Sequence, residues 1–169
     1  MKRLIAVFLT ICFIFCALGE TSISEAAASK PKVSARSAIL YDPVRGKILY
    51  SKNIYTRRPV ASITKIMTAM VVLDHLKPEK KVRVSSRASK AQPSKVYLVT
   101  GEYYTVRDLL YAMLLNSGND AAVCLAEAVG GTEWGFVKKM NDRAWRLGLR
   151  NTRYMNASGL KRKFDIDAY

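Results

Sequence analysis

The segment from Pro59 to Leu73 constrains this chain more than any other, because a long apolar run follows a serine and a lysine in it. Ser62 and Lys65 are three positions apart, and residues at this spacing share one face of a helix, where their side chains can meet. The residues after Lys65 are apolar almost all the way round, which predicts a helix buried in the core. Burial lowers the pKa of an ammonium group, and a neutral lysine can act as a general base for a serine. The alternative is an ordinary helix start, with Ser62 as a cap and Lys65 in solvent.

The first 28 residues have the pattern of a secretory signal peptide. A basic start at residues 1–3 precedes an apolar run at residues 4–18, and Ala26-Ala27-Ala28 offers a small-residue cleavage site. An uncleaved membrane anchor is the alternative, although the apolar run is short for a membrane span. We therefore predict an exported protein, in the periplasm or at the outer face of the cytoplasmic membrane. Residues 29–36 are predicted to be a flexible mature N-terminus, followed by a single domain over residues 37–169.

Charge and cysteine content narrow the class of protein further. Cleavage after Ala28 leaves Cys124 as the only cysteine, which excludes an intrachain disulfide and argues against a cysteine-based metal site. The chain has 28 basic and 13 acidic residues and a net charge of +15. An exported protein with this charge is expected to be attracted to an anionic envelope surface, although a solvated basic surface explains the charge equally well. The export signal and the scattered cations, without interleaved aromatic residues, argue against a nucleic-acid partner.

Periodicity and turn residues predict the order of the elements. Ser37–Tyr41 and Lys47–Tyr50 flank a turn-forming segment and predict a β-hairpin with a five-residue loop. The helix that begins at Ser62 should end between His75 and Lys77, because Pro78 cannot continue it. The remaining predicted elements are short strands at 81–85, 97–99 and 151–154, a loop at 86–95, and helices at 105–115, 120–129 and 132–148.

The residue inventory leaves one candidate nucleophile with a base beside it. The only histidine, His75, is 13 positions after Ser62 on the same predicted helix, or about 20 Å away, which excludes a Ser-His-Asp triad. One histidine and one mature cysteine argue against a zinc site, and the sequence has no glycine-rich phosphate loop. Ser117-Gly118-Asn119 is a second polar group, in the predicted bend between two helices. It either supplies a proton relay and a substrate-binding amide or is simply a good helix–helix turn.

Ser62-Ile63-Thr64-Lys65 followed by Ser117-Gly118-Asn119 resembles the motif series of the penicillin-recognising serine enzymes. The flanking stretches are most similar to the low-molecular-mass D-alanyl-D-alanine carboxypeptidases, over roughly residues 33–160. The supporting stretches are residues 38–42, 46–50, 58–68, 114–122 and 156–160. The resemblance implies an α+β fold of the β-lactamase/transpeptidase type, with a helical region packed against an antiparallel sheet.

The resemblance also implies roles for four residues. Ser62 would be the acyl-ester nucleophile and Lys65 its general base, while Ser117 would relay protons and Asn119 would complete the relay and the substrate cradle. The substrate would be a peptidoglycan stem peptide, from which the terminal D-Ala leaves. β-Lactam antibiotics would act as acylating inhibitors, and no metal or organic cofactor is implied.

The sequence departs from the family pattern after Leu160. The family has a third motif, Lys-Thr-Gly, on a later strand, and this sequence contains none. The expectation is therefore a C-terminally truncated carboxypeptidase whose sheet is incomplete. Its exposed apolar surface and unpaired sheet edge predict either poor solubility or dependence on a complementing C-terminal chain. Two alternatives remain open: an inactive wall-binding remnant and a β-lactamase. Ser-Gly-Asn in place of Ser-Asp-Asn argues against the β-lactamase.

Overall fold

The structure, a computed structural model, describes residues 31–160. The predicted signal peptide at 1–28 and the residues after Leu160 lie outside this range. The chain divides into two compact units between Asn53 and Ile54. No helix in the described part of the chain is long and apolar enough to cross a lipid bilayer.

The first unit contains the predicted β-hairpin. Strands β1 (Ala38–Asp42) and β2 (Lys47–Lys52) pair antiparallel, with an irregularity in register after Leu40. The Asp42 carboxylate closes the turn, because its Oδ1 atom accepts hydrogen bonds from the backbone N–H groups of Val44 (2.9 Å) and Arg45 (3.1 Å). This arrangement confirms the hairpin and the position of its turn.

The second unit is mainly helical. Its elements in chain order are α1 (Thr64–His75), β3 (Lys81–Arg83), α2 (Ser86–Ser89), β4 (Tyr103–Thr105), α3 (Val106–Leu115), α4 (Asn119–Gly130) and α5 (Glu133–Arg146). Strands β3 and β4 pair antiparallel. Helix α4 is central, since it packs against α1, α2, α3, α5 and β3, and its residues 119–126 are all buried. The N-terminal part of α4 is therefore held firmly among the other helices.

Helix α1 differs in two respects from its prediction. Ser62 lies in a 3₁₀ turn (Ala61–Ile63) ahead of the α-helix, and neither this turn nor α1 has a side-chain cap. The helix is also not buried on all sides, in contrast to the prediction from the nearly continuous apolar run: Ile66 is 59% and Leu73 is 54% exposed. The buried face of α1 combines the polar Thr64, Lys65 and Thr68 with four apolar side chains, and the helix ends at His75, as predicted.

The predicted helix starts of α3 and α5 are confirmed by their caps. Thr105 and Asp108 form a reciprocal capping box at the start of α3. The Thr132 hydroxyl accepts a hydrogen bond from the Gly135 N–H (3.0 Å) at the start of α5. These caps fix the two helices that flank α4.

Two predicted strands are wrong, and side chains explain both errors. In place of the predicted strand at 97–99, the N–H groups of Val96 and Leu98 donate to the Asp120 carboxylate (3.0–3.1 Å) and not to a neighbouring strand. At residues 151–154, the Tyr154 N–H donates to Asn141 Oδ1 (2.8 Å) and the Tyr154 carbonyl accepts from Asn141 Nδ2 (2.9 Å). The predicted loop at 86–95 is wrong in part as well, since it begins with the short helix α2, capped by the Ser85 hydroxyl.

Candidate active site

Lys65 lies at the centre of the candidate site. Its side chain is buried, with 2% of its surface exposed. Its Nζ atom lies near four oxygen atoms, which belong to Ser62 Oγ (3.2 Å), Ser117 Oγ (3.3 Å), Asn119 Oδ1 (2.8 Å) and the Ser158 carbonyl (3.1 Å). An ammonium group has three N–H donors, whereas a neutral amine has a lone pair that can accept a proton from a hydroxyl.

Burial lowers the pKa of Lys65 below its ordinary value of 10.5. The two hydroxyl groups beside it are hydrogen-bonded to each other, with Ser117 Oγ donating to Ser62 Oγ at 2.9 Å. An amine with a lowered pKa is thus in reach of two hydroxyls. The arrangement can take a proton from Ser62 and return it through Ser117, which is the chemistry of an activated serine nucleophile.

The backbone around both hydroxyls is strained. Ser117, in the turn between α3 and α4, has a φ of +56°, and Ala61, directly before Ser62, has a φ of +46°. Left-handed backbone is uncommon for residues other than glycine and often occurs at functional sites. Both turns direct a hydroxyl group towards Lys65.

One wall of the site is the segment from Gln92 to Leu98. Asn119 holds this segment through its N–H, which donates to the Ser94 carbonyl (2.7 Å), and through its Nδ2, which donates to the Gln92 carbonyl (3.0 Å). The buried Asp120 carboxylate fixes the next residues by accepting from the N–H groups of Val96 and Leu98. The first turn of α4 therefore positions both Lys65 and this wall.

The opposite wall is the segment from Asn156 to Leu160. Asn156 Oδ1 accepts from the N–H groups of Ser158 (3.1 Å) and Gly159 (2.7 Å), which folds the segment into a tight turn. The Ala157 carbonyl accepts from the Thr68 hydroxyl (2.7 Å) on α1. This turn directs the Ser158 carbonyl towards Lys65.

A cleft of about 290 Å³ lies over the two hydroxyl groups. Its lining includes Pro59, Ala61, Ser62, Pro93, Ser94, Ser117, Asn119, Ser158, Gly159 and Leu160. Ser62 is exposed at its floor, whereas Lys65 lies below the floor. Among residues 31–160, no group of three or more His, Cys, Asp or Glu side chains is arranged to hold a metal ion.

The structure therefore brings all four sequence-predicted site residues together, although Ser62 and Ser117 are 55 positions apart. Sequence reasoning missed three contributions: the Ser158 carbonyl, the Asp120 carboxylate and the Gln92–Leu98 wall. The first two come from stretches already similar to the carboxypeptidases, namely 156–160 and 114–122. No motif indicated the third.

The chain belongs to the D-alanyl-D-alanine carboxypeptidase family, whose pattern it matches over residues 24–168. It is 44% identical over 131 residues to the D-alanyl-D-alanine carboxypeptidase DacF of Bacillus subtilis (strain 168), which covers 75% of this chain and 34% of that protein. It is 37% identical over 155 residues to the D-alanyl-D-alanine carboxypeptidase of Streptomyces sp. (strain K15), which covers 85% of this chain and 53% of the relative.

Solved structures agree with the sequence comparison. The D-alanyl-D-alanine carboxypeptidase DacD of Francisella tularensis superimposes with a TM-score of 0.80 and 34% identity, covering 87% of this chain and 37% of the other. A mutant of the Streptomyces K15 DD-transpeptidase gives a TM-score of 0.75 and 36% identity, covering 79% and 56%. The predicted α+β fold of the β-lactamase/transpeptidase type is thus confirmed. The chain spans between a third and about half the length of these two curated relatives.

Proposed function

We propose that this protein is a serine-type D-alanyl-D-alanine carboxypeptidase that removes the terminal D-Ala of peptidoglycan stem peptides, outside the cytoplasm. The observation that supports the proposal best is the buried Lys65 amine within 3.3 Å of the hydroxyl groups of both Ser62 and Ser117. Membership of the carboxypeptidase family supplies the substrate class. The net charge of +15 fits attraction to an anionic envelope surface.

In the proposed reaction, Ser62 Oγ attacks the carbonyl carbon of the penultimate D-Ala while its proton passes to the neutral Lys65 amine. The peptide C–N bond then breaks, and the proton reaches the leaving amine through Ser117. Free D-Ala departs and leaves an ester between the peptide and Ser62. Water hydrolyses this ester, which gives the shortened peptide and regenerates the serine. The backbone N–H of Ser62 is a proposed donor to the oxyanion.

The proposed role of Asn119 is to orient Lys65 and to bind a substrate amide. Its Oδ1 atom accepts from Lys65 at 2.8 Å, and its side chain lines the cleft. β-Lactams would acylate Ser62 by the same attack, because the attacked bond is again an amide.

The test is the intact mass of the purified chain after incubation with a labelled penicillin, beside three variants. We expect one adduct on the wild type and none on Ser62→Ala. Lys65→Arg should also remain unmodified, because a guanidinium group does not lose its proton at accessible pH. Ser86→Ala is the matched control, because it removes an exposed serine hydroxyl from α2 and should acylate like the wild type.

Release of D-alanine from a synthetic peptide ending in D-Ala-D-Ala then tests turnover. An adduct that persists on Ser62→Ala would contradict the assigned nucleophile. A folded wild type that forms no adduct and releases no D-alanine would contradict the proposed function.

A further inference from the structure

A buried carboxylate outside the proposed catalytic group contacts one wall of the cleft. Glu133 is the first residue of α5, and 3% of its surface is exposed. Its Oε2 atom accepts from Arg87 Nη2 at 2.9 Å, and its Oε1 atom accepts from the backbone N–H of Ala157 at 3.2 Å. Carboxylates are seldom fully buried, and Glu133 is so close to the site that its position calls for an explanation.

The Ala157 peptide group is held from two sides. Glu133 accepts from its N–H, and the Thr68 hydroxyl of α1 donates to its carbonyl at 2.7 Å. The next carbonyl along the chain, that of Ser158, accepts from Lys65 Nζ. Because Thr68 and Lys65 are three positions apart on α1, the two carbonyl groups meet one face of that helix.

We propose that Glu133 is a positioning residue for the active site, which fixes the Ala157–Ser158 main chain so that the Ser158 carbonyl accepts a hydrogen bond from Lys65. The inference rests on the proposed function, in which Lys65 is the general base. Glu133 touches neither substrate nor nucleophile in this proposal and acts only through the backbone. A displacement of about 1 Å in a supporting group can cost a large factor in rate.

The bridge requires a carboxylate. Arg87 and the Ala157 N–H are both donors, and each meets a different oxygen of Glu133. Glutamine has one acceptor oxygen and one NH₂ group in place of these two oxygens. Whichever way the amide is oriented, one of the two donors faces another donor. Glu133→Gln should therefore disturb the bridge while keeping the size of the side chain.

Glu127 provides a matched control in the same chain. It also lies beside Arg87, with Oε1 3.9 Å from Arg87 Nε, and it accepts from the Ser85 hydroxyl at 2.5 Å. Glu127→Gln removes the same formal charge next to the same arginine but leaves the hydrogen bond to Ala157 in place. A comparison of the two variants separates loss of charge from loss of the bridge.

The first measurement is the NMR titration of the Lys65 side chain in the wild type, Glu133→Gln and Glu127→Gln. A carbonyl that accepts from the ammonium form favours that form, so its retreat lowers the pKa of Lys65. We expect the pKa in Glu133→Gln to fall by about one unit more than in Glu127→Gln. This measurement does not depend on enzymatic activity, so it tests the positioning role even in the absence of turnover.

The second measurement is the pH profile of penicillin acylation with the same proteins. The plateau rate of Glu133→Gln should be about tenfold lower than that of the wild type, with its acid limb moved to lower pH. Glu127→Gln should keep the wild-type plateau. Thermal melting of each protein measures general destabilisation. A purely structural role would lower the melting temperature but would leave the pH midpoint of acylation by the folded protein unchanged.

Equal Lys65 titration in the two variants, or equal acylation profiles, would overturn the inference and leave the proposed function intact. Acylation of Ser62→Ala, or a folded wild type without acylation, would overturn the proposed function instead. The Lys65 titration would still decide the positioning role in that case.

Discussion

Gly159 is the position at which a single methyl group should do most damage to the site. A Cβ atom built on Gly159 would overlap the carbonyl oxygen of Ala61 and lie 2.6 Å from Thr64 Oγ1. The Thr64 hydroxyl can rotate away, but the Ala61 carbonyl is main chain and cannot. Gly159 also has a φ of +76°, which disfavours any side chain. Gly159→Ala therefore combines a backbone penalty with a steric clash.

The two terms can be given separate magnitudes. Left-handed backbone costs alanine about 1–2 kcal/mol, and overpacking in a rigid environment typically costs about 1–3 kcal/mol more. The expected loss for Gly159→Ala is therefore about 2–5 kcal/mol. Gly148 has nearly the same φ, +77°, and no atom within 4 Å of a built Cβ, so Gly148→Ala should lose only the backbone term. The difference between the two variants isolates the clash.

Urea unfolding of the two variants measures these energies. With a slope of about 2 kcal/mol/M, the midpoint of Gly159→Ala should lie about 1 M below that of Gly148→Ala. Penicillin acylation should fall in Gly159→Ala alone, because relief of the clash moves residues 158 and 159 away from the 3₁₀ turn that contains Ser62. Equal midpoints in the two variants, together with normal acylation of Gly159→Ala, would refute the reasoning.

Three further predictions follow from buried groups. The Asp120→Asn variant should lose about 1–3 kcal/mol in urea unfolding and should acylate more slowly, because Oδ2 accepts from Leu98 while Oδ1 accepts from Ala121, and the NH₂ group of asparagine would face an N–H donor at one of these two positions; unchanged values would refute its role in the wall. Burial, followed by the nearby carboxylates, raises the pKa of Cys124 to about 12, so iodoacetamide at pH 8 should alkylate Cys124 only after unfolding, as peptide mass mapping would show. The acylation rate should rise with pH to a midpoint below 10.5, since the pKa of Lys65 is lowered by burial; a midpoint at or above that value would contradict a buried base.

Local signals in the sequence predicted the parts of the fold that depend on neighbouring residues. Thr105 with Asp108, and Thr132, were identified as helix starts from capping patterns, and the structure confirms both. The Ser62/Lys65 spacing predicted that the two side chains meet, and their atoms are 3.2 Å apart. These features involve contacts within four residues, for which helix geometry alone is sufficient.

The errors occur where a distant side chain replaces a backbone partner. The stretch at 97–99 has the composition of a strand, but Asp120 binds its N–H groups from 22 or more residues away. Asn141 does the same to Tyr154 from 13 residues away. A single sequence gives no signal that an aspartate or asparagine will substitute for a neighbouring strand. The same limitation hid Glu133, whose contacts are with residues far from it in the chain.

The contact between Ser158 and Lys65 is made by a main-chain carbonyl, and every amino acid at position 158 would present the same atom. A scan that replaces side chains one at a time would therefore underestimate this position, since it leaves the acceptor in place. What has to be preserved is the path of the main chain, which depends on the Asn156 side chain and on the absence of one at Gly159. The Ser158 hydroxyl also belongs to this turn, since it donates to Asn156 Oδ1 and accepts from the Leu160 N–H, both at 3.3 Å. Protein engineering at position 158 therefore has to keep these two hydrogen bonds if the carbonyl is to remain in place beside Lys65.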